Sequence, residues 1–406
     1  MRRKRSDELP RYVSDHESAS FQWPRRSRLF AALGVLILLY LFVLRPSGPR
    51  DDDPNILRIN WSNYAYSLYA TDSATLCHAV LVFDALARYG SRADRVLFYP
   101  DYWDTRIRDS KDRDSQLLVM ARDKYNVKLQ PGKLLSVEGR AGEERSYTGT
   151  WDKSVTKFMA FSLAYYDRVI ALDSDITLLQ SLDELFLLPP TPIAMPRAYW
   201  YDTRPWPLTS LLMVIKPSLE EFDNFKKMLV GGASDELVRA NVYDMELVNE
   251  RFADSAMVLP HRPYSLLSGE FRRHNHSAYL GSSSETWDAN KVYKEAKLVH
   301  FSDWPLPKPW IMWPQEGLAE IQPDCEGSKE GGCREREIWK GLYSDFRQRR
   351  KDVCRYLSVP APEWWRIKGD GGKTAASMNE TQGTHHEAPH AEVEPAQGDQ
   401  TVVHET

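Results

Sequence analysis

The sequence predicts an α/β fold in which a largely parallel central sheet carries helices on both faces. Two observations support that expectation. Short apolar runs alternate with helix-period segments from about residue 56 to 310, and alternating β and α units build parallel-cored sheets. The run Asp173-Ser174-Asp175 also sits directly behind the apolar stretch RVIAL. Carboxylates there would lie where such sheets bind ligands, in the crevice at the carboxyl ends of the strands.

Taken in order, 64–71 (YAYSLYAT) reads as a strand, and 73–89 (SATLCHAVLVFDALARY) as a helix that stops at Gly90. Residues 95–99 (RVLFY) form a short strand ended by Pro100. Residues 116–125 are expected to be helical, 127–137 extended, 153–166 helical, and 168–172 a buried strand. Further strands are expected at 193–195, 211–215, 256–259 and 297–301, with helices at 218–229 and 244–252. No internal repeat is apparent.

The flanks have a different character. Residues 29–44 (LFAALGVLILLYLFVL) are unbrokenly apolar and follow Arg25, Arg26 and Arg28. Roughly 16 residues span about 24 Å as a helix, enough for a thin bilayer or for one with interfacial flanks. A cleaved signal peptide would have a shorter polar lead and a small-x-small site, and RPSGPR offers none. A buried core helix would carry a polar face. The excess of Arg and Lys before the run, with Asp51–Asp53 after it, places the N-terminus in the cytosol and the body in a lumen. The expected organisation is a cytosolic tail (1–28), a single-pass anchor (29–44), a stalk (45–55), a lumenal domain (56–365) and a disordered polar tail (366–406). A short anchor with a lumenal body suggests the Golgi membrane.

Composition narrows the classes. Apolar (42%) and charged (27%) fractions are those of a globular chain, which excludes wholesale disorder, and a net charge of −4 gives no electrostatic case for a nucleic-acid partner. Thirteen Trp and 20 Tyr are mild support for a carbohydrate role, because aromatic rings stack on sugars as well as filling cores. Of four cysteines, Cys77 sits in an apolar helical stretch and is expected simply to be buried. Cys325 and Cys333 enclose a Gly-rich loop and are the expected disulfide, with Cys333–Cys354 as the other choice; no CxxC spacing points to zinc. Potential glycosylation triplets occur at Asn60, Asn275 and Asn379.

The chemistry centres on Asp173 and Asp175. Carboxylates at i and i+2 on a turn after a buried strand can converge on one hard cation, which in turn can neutralise a departing diphosphate. The spacing alone is common: Asp51–Asp53 and Asp112-Arg113-Asp114 share it as solvated charge, and an acidic turn can simply cap the chain. Asp244 and Glu246 open a helix, where the dipole alone would favour them. VHFSDWPLPKPW (299–310) offers His300 as a third ligand and Lys308 as a phosphate contact, although a lone histidine is more often a core or surface residue. ALDSDIT also resembles the first motif of haloacid-dehalogenase-like phosphatases, with Asp173 as nucleophile and Asp175 as acid/base. That family needs a downstream Lys and an acidic pair such as GDxxxD, and here Asp370 is followed by GGKT.

In order and spacing, the blocks YATDSATLCHAVLVFDAL, SVTKFMAFSLAYYDRVIALDSDITLLQSLDELF, IAMPRAYW, YDMELVN and VHFSDWPLPKPW resemble the retaining nucleotide-sugar transferases of glycosyltransferase family 8, the glycogenin-like group. Within it they are most similar to the fungal Golgi α-N-acetylglucosaminyltransferases. The resemblance spans 64–310, with a fungal-type extension to Cys354. It implies a GT-A-type fold, Rossmann-like with a mixed central sheet, a UDP-sugar donor and a glycan acceptor. It implies that Asp173, Asp175 and His300 hold Mn²⁺, that Tyr69, Ala70 and Thr71 line the uridine pocket, and that Ser174 lies at the donor. It further implies that Lys157 contacts the donor, Lys308 the diphosphate and Ser210 the donor sugar, with Asp244 as the acid near the reaction centre. The chain departs from the group at YDME, where glycogenin-like members read GDQG. Glucose specificity is therefore not carried over, and GlcNAc from UDP-GlcNAc to a mannose-containing glycan is the expected transfer, with glucose or galactose as the other donors.

Overall fold

The computed structural model describes residues 59–137, 151–231, 234, 235, 237, 242–302, 308–325, 332–356 and 358–360. The expected anchor (29–44), its flanks, the tail from 366 and Asn379 lie outside the described residues. Among the described residues no helix is long and apolar enough to cross a membrane.

The chain opens with β1 (Tyr64–Tyr69), then helix α1 (Ser73–Arg88) and β2 (Asp94–Pro100). Helix α1 starts on a reciprocal cap: Asp72 accepts from the Thr75 amide at 2.8 Å and Thr75 Oγ1 accepts from the Asp72 amide at 3.0 Å. It ends as the sequence signals, with Gly90 at φ +72°, a conformation that costs a residue without Cβ little. Helix α2 (Arg113–Tyr125) and β3 (Val127–Gly132) follow, so the extended stretch is shorter than the expected 127–137. The stretch expected to be helical over 153–166 is instead a 3-10 segment, Trp151–Ser162, that ends four residues earlier. It leads into β4 (Arg168–Leu172), whose five residues are all buried, and β5 (Ile176–Leu178).

Strands β6 (Ile193–Pro196), β7 (Leu212–Ile215) and β8 (Met257–Leu259) complete a seven-stranded sheet, ordered β3-β2-β1-β4-β7-β6-β8. The half from β3 to β4 is parallel, as the alternating pattern predicts, and β7 runs antiparallel to both β4 and β6, so the sheet is mixed, as the family resemblance implies. Alternation along β4 separates two apolar layers. Ile170 and Leu172 face the layer of α1 and α2. Val169 and Ala171 face the 3-10 segment with helices α3 (Leu219–Met228) and α4 (Asp244–Phe252).

A second, three-stranded sheet decides where the site forms. Strand β10 (Leu298–His300) pairs antiparallel with β5 and parallel with β9 (Leu266–Leu267). Beyond it, β11 (Ile311–Met312) pairs with β12 (Val359–Pro360), and helix α5 (Arg334–Arg349) buries Ile338, Trp339, Leu342, Tyr343 and Phe346. Cys325 and Cys333 are bonded as expected. Cys77 is not merely buried: it is bonded to Cys354, tying α1 to the end of the C-terminal extension. The alternative Cys333–Cys354 pairing is thereby replaced.

Candidate active site

The parallel pairing of β1 with β4, Ser67 opposite Ala171, brings the carboxyl ends of these strands to one edge. Tyr69, Ala70 and Thr71 leave β1 there, and Asp173-Ser174-Asp175 leaves β4 beside them. The acidic turn is fixed at both ends. The Asp173 amide donates to the Leu211 carbonyl at 3.0 Å, and the Asp175 carbonyl accepts from the Phe301 amide at 3.0 Å. Antiparallel pairing of β5 with β10 sets His300 opposite Ile176, one residue beyond Asp175.

Two linked clusters result. In the first, the buried Lys157 Nζ lies 2.6 Å from Asp173 Oδ1 and 2.9 Å from Asp244 Oδ2, and donates to the Ser210 carbonyl at 2.8 Å. Ser210 Oγ donates to the same Asp244 oxygen at 2.7 Å. An ammonium has three protons, and three acceptors surround this one, so Lys157 is fully engaged within the protein. In the second cluster, Asp175 receives His300 Nε2 at 3.2 Å and Lys308 Nζ at 3.3 Å, while Lys308 also donates to the Phe301 carbonyl.

The electrostatics follow from these contacts. Burial alone would push Lys157 down, but the Asp173 and Asp244 carboxylates outweigh it and hold the lysine above its ordinary range. Burial would raise Asp175, yet His300 and Lys308 hold it well below the usual carboxylate range. Asp244 is likewise held low, chiefly by Lys157 working against burial. Asp173 is raised: burial, with Asp175 and Asp244 nearby, exceeds the opposing pull of Lys157. Burial lifts the Tyr69 phenol far above its ordinary value, so it stays neutral.

One carboxylate oxygen each from Asp173 and Asp175 and one ring nitrogen of His300 lie within 4.8 Å of one another. A hard cation with bonds of about 2.1–2.4 Å spaces its ligands about 3.0–4.8 Å apart, so this donor set fits one. His300 Nδ1 is buried without a hydrogen-bond partner among the described residues, so protein hydrogen bonds do not use up the imidazole. Three carboxylates against two lysines leave one net negative charge to attract the cation.

The remaining expected residues are close by. Ala70 and Thr71 are buried, and the Thr71 amide donates to Thr75 Oγ1 at 2.9 Å, within the cap of α1. Ser174 is half-buried on the acidic turn. Of the two acids at the start of α4, Glu246 does structural work, accepting from the Tyr243 amide at 2.9 Å, whereas Asp244 turns into the lysine cluster. The sequence reading assigned no role to Asn249. Its side chain donates to the Leu208 carbonyl and accepts from the Leu208 amide, each at 2.7 Å, pinning the turn that carries Ser210 to α4. Membership of the block YDMELVN was its only signal.

No family model matches the chain. Among curated proteins it is 52% identical to glucose N-acetyltransferase 1 of Aspergillus fumigatus over 342 residues, covering 81% of this chain and 87% of that one. It is 46% identical to the Gibberella zeae protein of the same name, covering 76% and 66%, and 25% identical to that of Saccharomyces cerevisiae, covering 73% and 82%. Among solved structures it is similar to the galactosyltransferase LgtC in complex with donor and acceptor sugar analogs. That likeness has a TM-score of 0.39 at 14% identity and covers 75% of this chain and 99% of that one. It is also similar to the glycosyltransferase GlyE of Streptococcus pneumoniae, with a TM-score of 0.42 at 14% identity, covering 74% and 66%.

Proposed function

Since the chain belongs to the fungal glucose N-acetyltransferase 1 family and is a GlcNAc-transferring glycosyltransferase, we propose that it is a retaining GT-A-type enzyme using UDP-GlcNAc, a divalent cation and a mannose-containing acceptor. The observation that carries this reading is the placement of Asp173, Asp175 and His300 around one point, with Lys308 beside Asp175.

In this reading Asp173, Asp175 and His300 hold the cation, taken as Mn²⁺, and Tyr69, Ala70 and Thr71 bound the uridine. The chemistry supplied by the bound cation is neutralisation of charge gathering on the diphosphate as the sugar bond breaks. Lys308, a compact point charge beside Asp175, donates to the diphosphate and stabilises UDP as it leaves. Ser174 and Ser210 border the donor. Lys157 keeps Asp244 anionic at the sugar face, and Met245 and Glu246 shape the sugar or acceptor pocket. The acceptor hydroxyl attacks from the face that UDP vacates and passes its proton to the departing diphosphate oxygen, which retains the α configuration. The phosphatase reading of ALDSDIT is set aside by the family to which the chain belongs. The proposal includes the anchor at 29–44 and residence of 56–365 in the Golgi lumen.

UDP release by the full-length chain, measured against UDP-GlcNAc, UDP-glucose and UDP-galactose with and without Mn²⁺, tests the donor and the cation together. UDP-GlcNAc with Mn²⁺ is expected to dominate, and folded Asp175→Ala is expected to lose at least about a hundredfold in rate, on the order of removing a main electrostatic group. Undiminished turnover in that variant would end the metal assignment.

A further inference from the structure

Lys308 and His300 each adjoin a residue that rests on the C-terminal extension. On the His300 side, Phe301 packs on Phe346 at 5.0 Å and on Tyr343 at 5.6 Å between ring centroids. On the Lys308 side, the Trp310 ring lies 5.8 Å from Phe346 and 4.4 Å from His78 of α1. Burial, with the Arg350 guanidinium nearby, pushes His78 down to about 3, so it meets Trp310 as a neutral ring. The backbone is gripped as well. Arg347 Nε donates to the Pro309 carbonyl at 2.9 Å, Arg350 Nη1 to the Trp310 carbonyl at 3.4 Å, and the Ile311 amide closes a turn on the Lys308 carbonyl at 2.9 Å. Four residues after Arg350, Cys354 is bonded to Cys77, next in sequence to His78.

We propose that helix α5 and its Cys77–Cys354 anchor form a backing that positions Lys308 for the diphosphate, with Arg347 and Arg350 as positioning residues. This rests on the reading of Lys308 as the diphosphate contact. The physical reason is reach. A lysine ammonium on a flexible four-carbon stem finds its partner only if the backbone beneath it is fixed. Here that backbone is held by a 2.9 Å hydrogen bond from the charged Arg347 guanidinium, stronger than a neutral one, and by a longer one from Arg350. Arg347 and Arg350 grip the backbone at Pro309 and Trp310, and through that backbone they act on Lys308.

The test separates phosphate recognition from nucleoside recognition. Affinities of UDP and of uridine are measured by calorimetry on the full-length chain in detergent, with saturating Mn²⁺. Lys308→Met should weaken UDP and leave uridine unchanged. Arg347→Met should weaken UDP about fivefold to tenfold, less than a charge-assisted hydrogen bond is worth because the effect reaches Lys308 only through the backbone, and leave uridine within about twofold. Arg347→Lys should recover part of the loss. Cys77→Ala/Cys354→Ala perturbs the same anchor independently, serves if Arg347→Met does not fold, and should show the same selectivity. If Lys308→Met leaves UDP affinity intact, the diphosphate reading fails and the proposal falls with it. If Lys308→Met weakens UDP but the Arg347 and cysteine variants do not, or weaken uridine equally, the positioning role alone is overturned.

Discussion

Lys157→Met is the most demanding test of the charge cluster. It removes a 3% exposed cation that sits 2.6 Å from Asp173 and 2.9 Å from Asp244. At an effective dielectric of about 20, each contact is worth about 6 kcal/mol before desolvation is subtracted. Desolvation cancels much of that, and removing one partner of a buried pair costs about 3–5 kcal/mol because the other charge is left uncompensated. At about 2–3 °C per kcal/mol, the melting temperature should fall by about 6–15 °C. Adding Asp244→Asn to the variant removes one orphaned charge. The double variant should therefore be more stable than the sum of the single losses by about 1–3 kcal/mol. The direction in pH is fixed too. Asp173 is already raised by burial and its acidic neighbours, and without Lys157 the largest opposing pull is gone and the smaller one of His300 remains. A carboxyl whose folded value lies above its unfolded value costs stability at high pH and stops doing so as pH falls below the unfolded value. The deficit of Lys157→Met should therefore shrink as pH is lowered from 7 through that window. Thermal and urea unfolding of the variants across pH measure all of this. A loss under about 1 kcal/mol, strict additivity, or a deficit that grows on acidification would refute the electrostatic account.

The two disulfides should differ in weight. By the chain-entropy relation, closing the 277-residue separation of Cys77 and Cys354 is worth about 5–6 kcal/mol, against about 2.5 for the 8-residue loop of Cys325 and Cys333. Urea unfolding of the two Cys→Ala double variants should rank them in that order. Asn249→Ala leaves the amide and carbonyl of the buried Leu208 without their partners, at a cost of about 2–4 kcal/mol. It should slow sugar transfer through Ser210 while leaving UDP affinity within about twofold, as steady-state kinetics and calorimetry would show.

Much of the fold was legible because apolar alternation and cap chemistry are local. The parallel strands β1 to β4, the helix that opens at Ser73 and its Gly90 stop follow from residues within a few positions of one another. What failed was non-local or directional. Alternation in LMVI marks β7 as a strand but not its antiparallel run, which depends on the turn through Leu208 and its tether to Asn249. The helical period that begins at Lys153 is real, but to Ser162 the hydrogen-bonding pattern is 3-10, a distinction that side-chain spacing does not encode. Cys77 in an apolar helix looks the same whether it is packed or bonded, since its partner lies in another part of the chain. At the site, the acidic turn and His300 were readable as ligand types. That Lys157 spends all its protons on Asp173, Asp244 and Ser210 was not, because it requires three segments to meet.

The antiparallel pairing that sets His300 beside Asp175 joins positions about 125 residues apart, and this has a meaning in time. At roughly 5–20 residues per second, the ribosome delivers His300 and Lys308 about 6–27 s after the acidic turn. Until then Asp173 and Asp175 stand together without the two groups that settle Asp175. A half-made chain thus carries Asp175 without its partners, where the finished one holds it between His300 and Lys308. Arrival of β10 converts the acidic turn from a liability of the nascent chain into its working part.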